Sequence, residues 1–308
     1  MISSFKEIFE LLKAKGTKKK LVVAWGVDEH SINAVYQAAK MGFVEPTLVG
    51  DKKLIEEVCK KDNLDESVFS IIDNPKEIPA VAQAVAIVKA GEADFLMKGL
   101  CSTDKFMHAI LNKELGLLPD KAVMSHVAVV ENPMYNKLMI ASDMAVIPAP
   151  DLSQKQAMTK YCINVAHSMG IDTPKVAFIG CTEQMLPKIQ SCVDAALLAK
   201  MCDRGQIKGC IGDGPLALDV AISEEAVKIK KLVSPVAGDA DILIFPNIES
   251  CNVFYKCNSQ LCPNVHQAGM PIADSVAFLI AWIMLERQKK QFKAVINSDN
   301  STIPAQNE

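Results

Sequence analysis

From residue 21 onward, short apolar runs alternate with amphipathic stretches. The runs at 21–26, 45–50, 68–73 and 94–98 are aliphatic and partly β-branched, which predicts strands. Between and after them, 28–41, 54–61, 78–90 and 103–112 place apolar residues at helical spacing. Gly42 and Gly91 supply the helix stops. The runs 123–130 and 137–142 predict an adjacent strand pair. Pro148 and Pro150 then break the pattern, because proline restricts the residue before it. A second series follows: helix 154–169, strand 176–180, helix 192–201, strand 207–211, helix 223–232 and strand 242–245. A last apolar helix over 275–287 is expected to return to the first unit, and residues after about 295 read as a polar, frayed tail. This alternation predicts an α/β protein with mostly parallel sheets. A chain of 308 residues exceeds the usual single core. Two α/β domains are therefore expected: 1–147 with 269–308, and 148–268.

Composition narrows the partners. Half of the residues are hydrophobic, 22% are charged, and the net charge is -3 with mixed signs. Neither nucleic acid nor a membrane surface is expected as a partner. Residues 1–12 read as an amphipathic helix without the apolar core of a signal peptide. The apolar run 276–285 is too short to span a bilayer. A cytoplasmic protein is expected. Its 10 cysteines are scattered through apolar surroundings and read as reduced core residues. Cys251, Cys257, Cys262 and His266 are zinc-ligand types, but they lack a CxxC knuckle, and no metal is expected there.

Candidate chemistry collects at predicted strand ends. Gly212, Asp213, Gly214 and Pro215 read as a turn closing a strand, where backbone can approach a ligand. Lys98 and Gly99 close another strand, and Ser102 and Thr103 open the next helix. Lysine, hydroxyls and a helix N-terminus suit a phosphate or acyl phosphate, although a plain N-cap has the same residues. Ser125 and His126 lie inside an apolar run, where a histidine is most simply a core residue. Asp143 follows the next run and either caps a turn or faces a cleft. There is no Walker A motif and no GxGxxG, so ATP and dinucleotides are poor candidates.

Several longer stretches have a specific likeness. VAWGVDEHSINAVYQAAKMGFVEPTLVGD at 23–51, LMKGLCSTDKFMHAILNKELGL at 96–117 and SHVAVVENPMYNKLMIASD at 125–143 resemble the phosphate acetyl/butyryltransferase family. DAALLAKMCDRGQIKGCIGDGPLALDVAIS at 194–223 and GDADILIFPNIESCNVFYK at 238–256 are similar to it too, with the butyryltransferase branch nearest. The resemblance implies the two-domain fold of isocitrate and isopropylmalate dehydrogenases, with an interdomain cleft and a homodimer or higher homo-oligomer. It implies conversion of acyl-CoA and phosphate to acyl phosphate and CoA, with coenzyme A as substrate and no cofactor. Carried onto this chain, it implies substrate contacts from Lys98, Gly99, Ser102, Thr103, Asp143, Asp213, Gly214, Pro215, Asn252 and Lys256. The catalytic candidates are Asp274, as base, with Ser125 and His126. Family members usually carry VGAKVPIVLTSRADS beyond the YK motif. Here 266–275 reads HQAGMPIADS, without the Ser-Arg. That departure makes a catalytically impaired acyl-CoA or acyl-phosphate binding protein the alternative reading. A metal-dependent dehydrogenase, suggested by fold alone, lacks its acidic cluster and motifs.

Overall fold

A computed structural model of the chain describes residues 2–119 and 121–273, and the backbone of 276–277. It opens with α1 (Phe5–Lys15), which starts where the Ser4 side chain accepts from the Glu7 amide and ends at left-handed Gly16. The first sheet is built from β1 (Lys19–Ala24), β2 (Val44–Gly50), β3 (Ser70–Asp73) and β4 (Phe95–Lys98), in the order β3-β2-β1-β4. All three pairings are parallel. Between its strands run α2 (Glu29–Lys40), α3 (Lys52–Lys61) and α4 (Glu77–Lys89), and α5 (Thr103–Ile110) follows β4. Successive strand residues point to opposite faces. Accordingly Val22, Ala24 and Leu96 pack with Val81, Val85 and Phe106, on the side of α4 and α5. Leu21, Val23 and Met97 pack with Ile32, Val35 and Ile55, on the side of α2 and α3.

The second sheet holds β5 (Ser125–Glu131), β6 (Met139–Ser142), β7 (Lys175–Ile179), β8 (Ile211–Leu216), β9 (Ile242–Ile244), β10 (His266–Ala273) and β11 (Val276–Ala277). Their order is β11-β10-β5-β6-β9-β7-β8. The block β6-β9-β7-β8 is parallel, whereas β5 pairs antiparallel with both β6 and β10. On one face lie α6 (Leu152–Ser168) and α7 (Gln190–Asp203), whose Met158, Cys162 and Leu198 pack on Val127, Ile140, Phe178 and Ile242. On the other are α8 (Leu218–Ile222), α9 (Glu224–Lys230) and α10 (Ile248–Leu261). There Ala221 and Cys251 meet Ala128, Ala141, Ala177 and Leu243.

The architecture is the mostly parallel α/β arrangement that the alternating pattern predicts. Three details differ. The division between sheets does not fall at the proline break: β5 and β6, on its N-terminal side, pair into the second sheet. Residues 269–273, expected in the first domain, are also in that sheet as part of β10, although the Ala273 side chain joins the first sheet's core. Second, Phe5 and Ile8 of α1, with Ile2 just before it, pack against the second sheet's core, and the Phe5 amide donates to Glu131 Oε2 at 2.7 Å. The chain thus docks on one sheet before building the other. Third, the helix expected over 223–232 is α9, capped by Ser223, but a further short helix, α8, precedes it and ends at the same residue. The helix expected over 275–287 lies outside the described residues, apart from Val276 and Ala277, whose backbone forms β11.

Candidate active site

In the first sheet the strand order places β1 beside β4, and the chain leaves both at the same end. Gly99 sits where they converge. Its amide donates to the Ala24 carbonyl at 2.9 Å, and the Leu100 amide donates to the Trp25 carbonyl at 3.0 Å. A Cβ on Gly99 would stand 2.2 Å from the Trp25 carbonyl oxygen and 2.9 Å from that of Ala24, so no side chain fits. Trp25 itself is in the left-handed region at φ 56°, a conformation costly for a bulky residue and kept where surrounding structure imposes it. Gly99→Ala should therefore destabilise the protein by about 1–3 kcal/mol, because only backbone can yield. Urea unfolding reads this directly, and an unchanged midpoint would contradict it.

Around Gly99 lie the residues expected from the sequence to bind phosphate. Lys98 is half-buried, with Nζ 3.4 Å from the Gly99 carbonyl. Ser102 caps α5, its Oγ accepting from the Lys105 amide at 3.3 Å, and Thr103 is the first helical residue. Sequence reasoning missed a further member, Glu77. Its Oε1 accepts the Ser102 amide at 3.2 Å, and its carboxylate is ion-paired to Lys105. The Lys105 bond, the Ser102 amide and the Lys98 charge hold Glu77 below the usual carboxylate range. This carboxylate occupies the Ser102 amide and the Lys105 ammonium together. Only packing of α4 beside α5 reveals it.

The second group is centred on Asp143, immediately after β6 and 1% exposed. Oδ2 accepts the Ser125 hydroxyl at 2.9 Å, the His126 amide at 3.0 Å and the Ile147 amide at 3.3 Å. Oδ1 accepts the amides of Ala145 at 2.8 Å and Val146 at 2.9 Å. Of the two roles expected for it, the turn cap is the one its bonds perform. Asn252, on α10, extends the group by donating Nδ2 to the Met144 carbonyl at 3.0 Å. Met124, Val146 and Ala273 pack with Cys101 and Phe106, which sets this group against the layer carrying Lys98 and Ser102.

His126 faces the same side of β5 as Ala128 and Val130. Its ring leans over Gly269 of β10, where a Cβ would come within 2.4 Å of Cε1. His126 is buried, and its Nδ1 has no hydrogen-bond partner; both polar side-chain atoms of Gln267, on the neighbouring strand, are buried without one as well. Burial pushes the imidazole down to about 4, against the pull of the Asp143 carboxylate. The folded value thus lies below the ordinary 6.5 of an unfolded chain. The stability it contributes is complete above about pH 6.5 and is lost as pH falls toward about 4, a loss of about 3 kcal/mol. The pH dependence of urea unfolding in wild type minus that in His126→Gln should isolate this slope. Parallel curves for the two proteins would contradict it.

The third group departs from its expected form. Gly212, Asp213, Gly214 and Pro215 do not make a turn after a strand; they lie within β8, beside a register irregularity against β7. Glycine is required there by packing. A Cβ on Gly212 would stand 2.5 Å from Cys202 Sγ, and one on Gly214 would stand 2.7 Å from Phe178 Cβ. Pro215 is tolerated because β8 is an edge strand. Asp213 Oδ1 accepts the Gly214 amide at 2.8 Å. β8 is four strands from β5 in the sheet order, roughly 19 Å at about 4.8 Å per strand. These residues are therefore not in contact with Ser125. Lys256 is exposed on α10, and Asp274 lies outside the described residues.

Also missed was a buried ion pair near the ends of β7 and β9. Lys155 Nζ, on α6, meets Asp194 Oδ2, on α7, at 2.7 Å, and Gln190 Nε2 donates to Asp194 Oδ1 at 2.7 Å. The cysteines are free thiols; burial raises Cys101 to about 11, despite Lys98 nearby. Cys251 is buried while Cys257 is exposed, and among the described residues no three His, Cys, Asp or Glu side chains are grouped to hold a metal ion. Among those residues, too, no helix is long and apolar enough to cross a membrane.

Two mostly parallel α/β sheets, with Lys98 and Ser102 at the end of β4 and Asp143 at the end of β6, define the class of fold to which the chain belongs. The sequence pattern of the phosphate acetyl/butaryl transferase family matches residues 3–82 and 77–269, and the chain belongs to that family. It is 43% identical to the phosphate butyryltransferase of Clostridium beijerinckii over 298 residues, covering 97% of this chain and 96% of the relative. It is 46% identical to the phosphate butyryltransferase of Clostridium acetobutylicum over 256 residues, covering 83% of this chain and 84% of the relative. Among solved structures, a branched-chain phosphotransacylase from Enterococcus faecalis V583 superposes with a TM-score of 0.74 at 28% identity, covering 85% of this chain and 91% of the other.

Proposed function

We propose that the protein is a phosphate acyltransferase acting on a short acyl-CoA, with butyryl-CoA the first candidate. The observation that carries this is the 43% identity to a phosphate butyryltransferase along 97% of the chain. In the reaction a phosphate oxygen attacks the thioester carbonyl, the C–S bond breaks, and CoA leaves as thiolate; acyl phosphate is the other product. In the reverse direction a base must form that thiolate, the nucleophilic species.

Lys98, Gly99, Ser102 and Thr103 would hold phosphate, with lysine charge and the α5 N-terminus acting together. That requires Glu77 to release the Ser102 amide and Lys105. Asp143 is saturated by five donors, so its part is to position the loop 143–147 and Ser125. His126 stays neutral at pH 7 and offers a polar, uncharged edge. Asp274 is the proposed base. Asp213, Gly214, Pro215, Asn252 and Lys256 would line the path of the long CoA molecule, which can reach from one strand end to another. Coenzyme A enters as substrate, with no other cofactor, in a cytoplasmic homodimer or higher homo-oligomer.

The impaired binding-protein alternative finds no support in the comparisons. The missing Ser-Arg nevertheless bears on rate, since Arg204 is the only arginine among the described residues. The test is phosphate-dependent thiol release from acetyl-, butyryl- and isobutyryl-CoA. Turnover with at least one, and a raised KM for phosphate in Lys98→Ala, support the reading; binding of all three without turnover would overturn it.

A further inference from the structure

Two cysteines outside the proposed site are paired in space. Cys202 lies in the last turn of α7, and Cys210 directly precedes β8. Their sulfurs are 3.7 Å apart, in contact but not bonded, and both residues are half-buried. The link between them, 203–209, contains Gly205 and Gly209 at φ 70° and 77°, so it turns through glycines. Cys202 Sγ rests on the β8 backbone, where a Gly212 Cβ would come within 2.5 Å. A disulfide needs the sulfurs only about 1.7 Å closer. We propose that Cys202 and Cys210 form a reversible dithiol–disulfide couple, a modification site for low-molecular-weight disulfides.

The two thiols are not equivalent. The hydrogen bond that they share, with burial, raises Cys202, and the same bond lowers Cys210. Cys202 Sγ is packed against Gly212, whereas Cys210 ends the glycine-turned link, so Cys210 is the nucleophile once it has lost its proton. The Cys210 thiolate attacks one sulfur of glutathione disulfide, its S–S bond breaks, and one glutathione thiolate leaves. Cys202 then loses its proton to solvent and attacks Cys210 Sγ in the mixed disulfide. The second glutathione thiolate leaves. Two electrons pass from the protein to glutathione disulfide. The product ties the end of α7 to the start of β8.

The full-length chain is incubated with glutathione disulfide, the remaining thiols are alkylated, and the peptides are mapped by mass spectrometry. An intramolecular Cys202–Cys210 cross-link that dithiothreitol reverses is expected. Cys202→Ser should trap glutathione on Cys210, whereas Cys210→Ser should leave Cys202 at least about tenfold slower to react. Circular dichroism checks that both variants are folded. The proposal is overturned if Cys202 and Cys210 stay alkylatable while the exposed Cys181 or Cys257 takes up glutathione. It is also overturned if the cross-link forms only in urea, or if Cys202 proves the faster of the two.

Discussion

Asp143→Ala is expected to lower the unfolding free energy by about 4 kcal/mol or more. Removing the carboxylate orphans the Ser125 hydroxyl and the amides of His126, Ala145, Val146 and Ile147 together. Each buried donor left without a partner costs about 1–3 kcal/mol, and the losses do not add in full because the loop relaxes. Asp143→Asn should fall between wild type and alanine. Its remaining oxygen can serve either the pair Ala145 and Val146 or the trio on the other side, but its amide group cannot accept from the rest. Equilibrium urea unfolding of the three proteins gives the ranking. Equal stability of Asp143→Asn and Asp143→Ala would contradict the assignment of both carboxylate oxygens.

Lys155→Met should cost about 3–5 kcal/mol, because it strands the Asp194 carboxylate in the interior with only Gln190 as donor. The ion pair itself adds little net stability, since desolvating two charges offsets their attraction. The double substitution Lys155→Met, Asp194→Leu should therefore recover most of the loss. Urea denaturation of both single variants and the double variant completes the cycle. A double variant as unstable as the sum of the singles would show that the two residues act independently.

Much of the fold is legible in the sequence where local pattern and tertiary outcome agree. Val22 and Ala24 alternate with Leu21 and Val23, and each pair reaches a separate core. The runs read as a strand pair become β5 and β6. Sheet membership is another matter. Nothing local tells β6 to pair with β9, about a hundred residues further on, and the proline break is a poor guide to that long-range choice. The segment 212–215 has the composition of a turn, but its glycines answer to Phe178 and Cys202, which only packing brings near. α10 escapes notice because Cys251 and Asn258 are its only fully buried residues, too sparse a stripe for periodicity.

The site divides along the same line. Asp143 is recognisable as a polar residue ending an apolar run, and Lys98 with Ser102 as a strand end meeting a helix start. Glu77, Lys155 and Asp194 are not. On single helices they resemble solvated charges, and their partners come from other helices. The orphaned Nδ1 of His126 is likewise invisible in a run that reads as core, because it depends on Gly269 of β10 passing beside the ring.

The central claim is that this chain moves an acyl group from CoA to phosphate without the family's Ser-Arg. Trapping the product tests it most directly. Full-length protein is given butyryl-CoA and inorganic phosphate, and hydroxylamine added after quenching converts any acyl phosphate to a hydroxamate, measured beside free CoA thiol. The account predicts CoA thiol, measured before hydroxylamine is added, that forms only with phosphate, and a matching rise in butyryl hydroxamate above the background that butyryl-CoA itself gives without phosphate. CoA released at the same rate with and without phosphate, or no hydroxamate above that background from a protein that binds butyryl-CoA, would contradict it.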